Sequence, residues 1–430
     1  MRRLYSAGWV VAAPLALLYL LYRSLRQPEY RLHWAERFGY GAPAAADRRP
    51  IWIHAVSVGE TAAAVPLLRR LADAYPEATF LLTHATPTGR ATGRDRFADL
   101  GGRLAQCYLP YDLRCAVDRF FETRRPLLGL VMETEVWPNL MAAAAARRIP
   151  VASVNARLSP RSLARGLRYR SLIGPAVAAF DCIVAQSAAD SARIAQLARP
   201  ADAVAGNLKF DQPVSTSARE QGQAWRRRFG GRPVVLAAST RDGEEALLLR
   251  AWQAADTQRS LLVIVPRHPN RFAAVAALIA ASGARFERRS ALDDPAANLG
   301  SCDVLLGDSM GEMQAWYAAA DVTIMGGSLL PFGSQNLIEA NALGCPVVLG
   351  PSVFNFAEAA AESIAAGAST PVADPEAALA VALAIAADPA RRAAQSAAAL
   401  AFSAAHRGAT DRTLAALAPL LEKTLGPPRR

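Results

Sequence analysis

The stretch Ala320–Pro351, ADVTIMGGSLLPFGSQNLIEANALGCPVVLGP, limits the possible folds more than any other. Val322–Met325 is an apolar run of the length of one buried parallel strand. Gly326, Gly327 and Ser328 follow, a turn in which a ligand can approach bare backbone. After Gly333 and Gln335-Asn336, a helical pattern runs from Leu337 to Leu343, Gly344 ends it, and Pro346–Gly350 reads as the next strand. Strand, glycine loop, helix and strand form a βαβ unit, which places the chain in the α/β class with parallel sheets. The loop leads from the carboxyl end of a strand into a helix N-terminus, where free N–H groups and the helix dipole hold phosphates. The same residues also suit a plain tight turn in any α/β protein.

Similar apolar runs recur at 51–56, 79–83, 126–132, 151–154, 182–185 and 203–205, and again at 233–237, 261–265, 304–306, 322–325 and 347–349. Residues 212–230 between the two series are polar and read as a linker with a lead-in helix. Two series of similar length in 430 residues predict two Rossmann-like domains facing a cleft, over 28–211 and 212–430, the second ending in Ala-rich helices. Residues 1–27 precede them as an anchor. Tyr5–Tyr22 carries no charge, about the length needed to span a bilayer. Arg2 and Arg3 precede it, Arg23, Arg26 and Arg31 follow, and no small-residue cleavage site comes before Arg23. That pattern favours a membrane anchor over a signal peptide; a helix lying in the interface satisfies it too. His33–Gly39, HWAERFG, is expected to lie against the membrane surface.

Net charge is +11, carried almost entirely by arginine, since Lys209 and Lys423 are the two lysines. Basic surface favours anionic partners, yet no nucleic-acid-binding motif is present. Five scattered cysteines without a C-x-x-C pair fit a reducing compartment and speak against structural zinc. H-E-x-x-H, G-x-G-x-x-G, G-x-x-x-x-G-K-[ST] and G-x-S-x-G patterns are all missing, which removes support for hydride transfer and P-loop chemistry.

Candidate chemistry sits at strand ends. Glu60 follows a strand and opens a helix; Ser57-x-x-Glu60 is equally a capping box. Glu133 and Glu135 end another strand, and alternation sends both side chains to one face, where like charges would raise one carboxyl pKa. Ser239-Thr240 opens a further loop-to-helix anion site. Arg267 and His268, between two prolines, suit a phosphate. Met310-Gly311-Glu312 follows yet another strand. Asn336 and Glu339 lie one helical turn apart, and a carboxylate there suits a ribose diol.

Eleven segments in chain order together resemble the 3-deoxy-D-manno-octulosonic acid (Kdo) transferase family of lipopolysaccharide biosynthesis. They are His33–Gly39, HAVSVGE (54–60), TPTG (86–89), YLPYD (108–112), METEVWPNL (132–140), NARLS (155–159), GNLKFD (206–211), PRHP (266–269), GDSMGE (307–312), GGSLLPFGSQNLIEA (326–340) and GPSVFNF (350–356). The resemblance implies a two-domain GT-B glycosyltransferase at the cytoplasmic face of the inner membrane, held by one N-terminal anchor. It implies CMP-Kdo as donor, lipid IVA as acceptor, and neither a metal nor a cofactor. By position it makes Glu60 the general base, with Ser57 and Gly59 beside it, and Glu133 or Glu135, with Glu133 favoured, the second acid. CMP then falls to Ser239, Thr240, Arg267, His268, Met310, Gly311, Glu312, Gly327, Ser328, Asn336 and Glu339. Lys209 is a further candidate, as a lysine kept in an arginine-rich chain. Arg157 and the arginines at 161, 165, 168 and 170 face acceptor phosphates or the membrane, or form a solvated helix face. Arg241 departs from the family's usual His and Ser334 from its usual Gly; Ser334 is strained if the position needs φ above zero. Competing readings are another membrane-associated GT-B nucleotide-sugar enzyme and a tethered binding protein without catalysis.

Overall fold

The computed structural model describes residues 1–25, 27–41, 49–257, 259–294, 297 and 299–428. Arg26 lies outside the described residues. The chain divides into two compact units, one of residues 1–212 with 408–430 and one of residues 213–407.

The first unit holds a seven-stranded sheet of β1 (Ile51–His54), β2 (Phe80–His84), β3 (Leu104–Tyr108), β4 (Leu128–Met132), β5 (Val151–Ala156), β6 (Cys182–Ala185) and β7 (Ala203–Val204). Its order is β3-β2-β1-β4-β5-β6-β7, and β1 runs parallel to both β2 and β4. Chain direction across the sheet reverses between β1 and β4, so the loops after those strands diverge and leave a crevice at their carboxyl ends. Both faces of the sheet are covered, which is why its central strands are continuous apolar runs rather than alternating ones. Trp52 is fully buried with Phe120 and Phe121 edge-on to its ring.

The second unit repeats the plan with β8 (Val234–Thr240), β9 (Leu261–Pro266), β10 (Phe286–Arg288), β11 (Val304–Leu306), β12 (Val322–Met325), β13 (Val347–Leu349) and β14 (Ser369–Pro371). Its order is β10-β11-β9-β8-β12-β13-β14, so here the switch point lies between β8 and β12. The βαβ unit read from Ala320–Pro351 is present: β12, the helix Leu337–Ala342 and β13, with β12 and β13 parallel.

One expectation is corrected. The tail does not all belong to the second unit, because the helix Ala409–Leu425 packs Ala409, Leu417 and Leu421 into the core of the first. Asp211 holds the start of that helix, accepting from the Gly408 and Thr410 amides at 2.7 and 2.5 Å. His33–Gly39 is anchored in the protein through its polar residues while His33 and Ala35 stay exposed: Arg37 is 5% exposed, donates to the Ala85 carbonyl and stacks on Tyr108. Glu36 beside it pairs with Arg90 at 2.6 Å and accepts from the Tyr108 amide. These partners lie about fifty or more residues away in sequence, so the polarity of Glu36 and Arg37 serves a largely buried network.

Candidate active site

In the first unit, both loops at the switch point carry acids. Glu60 lies in the first turn of the helix Val58–Ala74, whose N-cap Ser57 accepts from the Glu60 amide at 3.5 Å. The Glu60 carboxylate reaches back past Ser57 and accepts from the Val56 amide at 2.6 Å, a displaced form of the capping box. The capping and the chemical readings therefore coexist in one side chain. Gly59 is exposed, and a Cβ added there would meet nothing nearer than 3.9 Å.

After β4, Glu133 adopts a left-handed backbone with φ of 54°. Strand alternation therefore stops at Met132, and the one-face argument for Glu133 and Glu135 does not hold. The two acids take different partners. Glu133 pairs with Lys209 at 2.6 Å, the two side chains being only 12% and 10% exposed. Glu135 accepts from the Trp137 indole at 2.8 Å, and His54 Nε2 faces it at 3.9 Å. His54 is buried at the end of β1, its Nδ1 2.9 Å from Thr83 Oγ1, which also accepts from Trp52. Sequence reading passed over His54 as a site residue, although it opens the HAVSVGE segment.

The Glu60 pKa is pushed up to about 8. Burial is the largest cause and the negative charge of Glu133 the next. Glu135 adds to the rise, while the Val56 amide and the Lys209 ammonium oppose it. A carboxyl titrating near neutral pH in a crevice is equipped to exchange a proton. Asn155, the left-handed penultimate residue of β5 with φ of 55°, accepts from the Leu208 amide at 3.0 Å and so fixes the Lys209 segment beside the acids. Arg157 is half-buried, and the arginines at 161, 165, 168 and 170 are exposed along the following helices with Leu167 and Tyr169. A cavity of about 390 Å³ at the opposite, amino end of this sheet, lined in part by Arg49, Ile51, Thr79 and Leu425, shares no residue with the acids.

In the second unit, the loops after β8 and β12 behave differently from expectation. Gly326 has no room for a side chain, but what fills that space is backbone: a Cβ would lie 2.4 Å from the Ser239 carbonyl. The N–H groups of Gly326, Gly327 and Leu329 are already occupied. Glu244, fully buried at the start of the helix Glu244–Ala254, accepts from the amides of Arg241, Gly327 and Leu329 at 2.8, 2.7 and 3.1 Å. The protein's own carboxylate thus sits where a phosphate was expected. Burial raises the Glu244 pKa, and these amides work against the rise. Ser328 is also internal, donating to the Met325 carbonyl and accepting from the Gly350 amide. Thr240 donates to the buried Glu245 at 2.6 Å, which in turn pairs with Arg271. Ser239 holds φ of 56° and Ser334 φ of 69°, so the Ser334 position does require the left-handed region.

What remains for an anion is cationic. Arg267 is half-buried, with Nε on the Gln335 side-chain oxygen at 3.1 Å; burial and the nearby Arg241 both lower its pKa. His268 is exposed, with Nε2 3.2 Å from an Arg241 guanidinium nitrogen, and Arg241 lies over the Phe332 ring at 4.7 Å. Two arginines and a histidine held together are a phosphate-binding grouping. Arg241, read in the sequence as a departure, is part of it. Asn336 caps its helix by accepting from the Ile338 amide, and Glu339 accepts from Gln314 at 3.1 Å. Glu312 is bound bidentately by Arg289 at 2.8 and 2.7 Å, with Gly311 at φ of 83° and Met310 exposed before it. Among the described residues, no three His, Cys, Asp or Glu side chains converge as metal ligands.

A family model described as 3-Deoxy-D-manno-octulosonic-acid transferase (kdotransferase) matches residues 32–212. The chain is 45% identical over 431 residues to a 3-deoxy-D-manno-octulosonic acid transferase of Bordetella pertussis, covering 97% of this chain and 98% of that one. It is 37% identical over 363 residues to a 3-deoxy-D-manno-octulosonic acid transferase of Haemophilus influenzae, covering 83% and 84%. Among solved structures it is similar to UDP-GlcNAc 2-epimerase from Neisseria meningitidis, with a TM-score of 0.59 at 14% identity over 86% of this chain and 100% of that one. It is also similar to a glycosyltransferase from Rickettsia africae, with a TM-score of 0.54 at 13% identity over 88% and 99%. At such identities the likeness is one of fold: two parallel α/β sheets of GT-B type.

Proposed function

The chain belongs to the 3-deoxy-D-manno-octulosonic acid transferase family, and from that premise we propose that it moves Kdo from CMP-Kdo to a hydroxyl of lipid IVA, with Glu60 as general base. In this reading Glu60 takes the proton of the acceptor hydroxyl as its oxygen bonds to the anomeric carbon of Kdo. The bond from that carbon to the CMP phosphate oxygen breaks, and CMP leaves with the electron pair. Acceptor activation is assigned to the first unit and donor binding to the second. Arg267, His268 and Arg241 take the CMP phosphate, where fixed positive charge stabilises the departing anion in place of a metal. Asn336 and Glu339 take the ribose and base side of the nucleotide. Thr240, Gly327, Ser328 and Glu312 act by shaping these loops, because their polar groups are engaged within the protein. Glu133 and Glu135 set the proton affinity of Glu60, and Lys209 restrains it. The acceptor lipid reaches the protein at the membrane, on the cytoplasmic side.

One observation carries the reading: a carboxyl at the first switch point whose pKa is about 8. A base must be unprotonated to act, so kcat for transfer from CMP-Kdo to lipid IVA rises along a single limb centred near pH 8. Lys209→Met removes a cation that lowers the Glu60 pKa, so the limb moves to higher pH. A flat profile, or a limb unmoved by Lys209→Met, contradicts the assignment of the base.

A further inference from the structure

The helix Arg2–Ser24 is long and apolar enough to cross a membrane. Its exposure nevertheless follows a stripe. Tyr5, Trp9, Ala13, Leu17, Leu20 and Ser24 are half-buried or buried, a spacing of three and four residues that marks one helix face from end to end. On the opposite face Leu4, Val11, Leu15, Leu18 and Tyr22 are 57–74% exposed.

The start of the helix is docked on distant parts of the first unit, and its end packs on the segment that directly follows it. At its start Ser6 donates to Asn139 at 3.0 Å, the Tyr5 hydroxyl bonds to Asp112, and Trp9 stacks on Tyr111 at 5.8 Å between ring centroids. At its end Arg31 donates to Ser24 at 3.0 Å and Arg23 lies over Tyr30 at 4.8 Å. Twenty-three helical residues span roughly 35 Å. In a helix crossing the bilayer, the start would be the end carried away from the protein, and here that end is docked.

We propose that this helix is an in-plane element, immersed sideways in the acyl–headgroup boundary of an anionic bilayer, with both ends on the same side as the two units. Helices of this kind usually need a polar face toward water. Here the protein covers that face, so the sequence can be apolar all round and still lie flat. The outward face has the chemistry of the boundary. It is an apolar strip running the length of the helix, the kind of surface that marks an interaction site, with Tyr19 and Tyr22 exposed toward one end, a residue type enriched at membrane–water interfaces. Exposed Arg2 and Arg3 at one end and Arg31 at the other are placed for anionic headgroups. The proposal rests on no part of the transfer chemistry.

Single cysteines placed at Leu4, Val11, Leu15, Leu18 and Tyr22 in the full chain test it. The background is Cys115→Ser, since Cys115 is exposed and the other four cysteines are buried. Nitroxide labels are read for immersion depth by power saturation in vesicles of phosphatidylethanolamine and phosphatidylglycerol. In-plane immersion gives one shallow depth at all five sites. A profile that deepens toward Val11 and Leu15 by about 10 Å or more and shallows at both ends is the signature of a span and overturns the proposal. Water-like accessibility at all five sites overturns it too.

Discussion

Glu60→Gln lowers kcat for Kdo transfer by about 10²- to 10⁴-fold, the usual contribution of a general base. The amide keeps the shape of the side chain and can still accept from the Val56 amide, which the carboxylate does at 2.6 Å, so the loss reports proton transfer rather than a collapsed loop. KM for CMP-Kdo stays near its wild-type value, because the nucleotide is assigned to the second unit. The same substitution carries a stability signature of defined sign. The folded-state pKa of about 8 lies above the ordinary carboxylate value of 4.5, so between those values the native state binds more protons than the unfolded chain. Stability contributed by the neutral acid is therefore intact below about pH 4.5 and is lost as pH rises through about 8. Glu60→Gln cannot ionise, so its melting temperature gains on wild type across that window, measured by thermal unfolding at pH 5, 7 and 9. A variant with full turnover, or one whose stability difference runs the other way with pH, removes Glu60 from the role.

Glu244→Ala is the substitution expected to unsettle the second unit most. It leaves the buried amides of Arg241, Gly327 and Leu329 without their acceptor, and each unsatisfied buried group costs about 1–3 kcal/mol. A total of roughly 3 kcal/mol or more lowers the melting temperature by about 6–12 °C for a unit of this size. Glu244→Gln keeps one carbonyl oxygen for these amides and recovers part of the loss. Affinity for CMP falls with the Ala variant as the loops after β8 and β12 loosen around Arg241. Unchanged melting in the Ala variant shows that the carboxylate does not hold the loop.

Much of this architecture is written in the apolar runs, and the misses have physical causes. Strands buried on both faces are continuous Val, Ile and Leu segments, and those were readable as such. The strands that escaped, β3, β10 and β14, are all sheet edges, where short and partly polar sequences such as FER at 286–288 carry no run. The helix Ala409–Leu425 reads as one more Ala-rich helix; what assigns it to the first unit is the distant Asp211 cap and a shared core. Within the candidate site, strand-end position pointed to Glu60, Glu133 and Glu135. The left-handed backbone of Glu133 was invisible, since nothing in a glutamate announces a positive φ. The glycine loop suits a phosphate cradle and a plain tight turn equally, and a helix-starting Glu-Glu pair reads as solvated dipole complement. Only the three-dimensional contact shows that Glu244 turns inward and fills that cradle. His54 and Arg241 were likewise hidden, because their relevance lies in what faces them: Glu135 for one, His268 for the other.

The most direct measurement is the mass of the lipid after the full-length protein has been incubated, in the presence of EDTA, with CMP-Kdo and lipid IVA. The account predicts a lipid heavier by whole Kdo residues and CMP released in equal number. CMP release with no gain in lipid mass, or transfer from a UDP-sugar in place of CMP-Kdo, would contradict it.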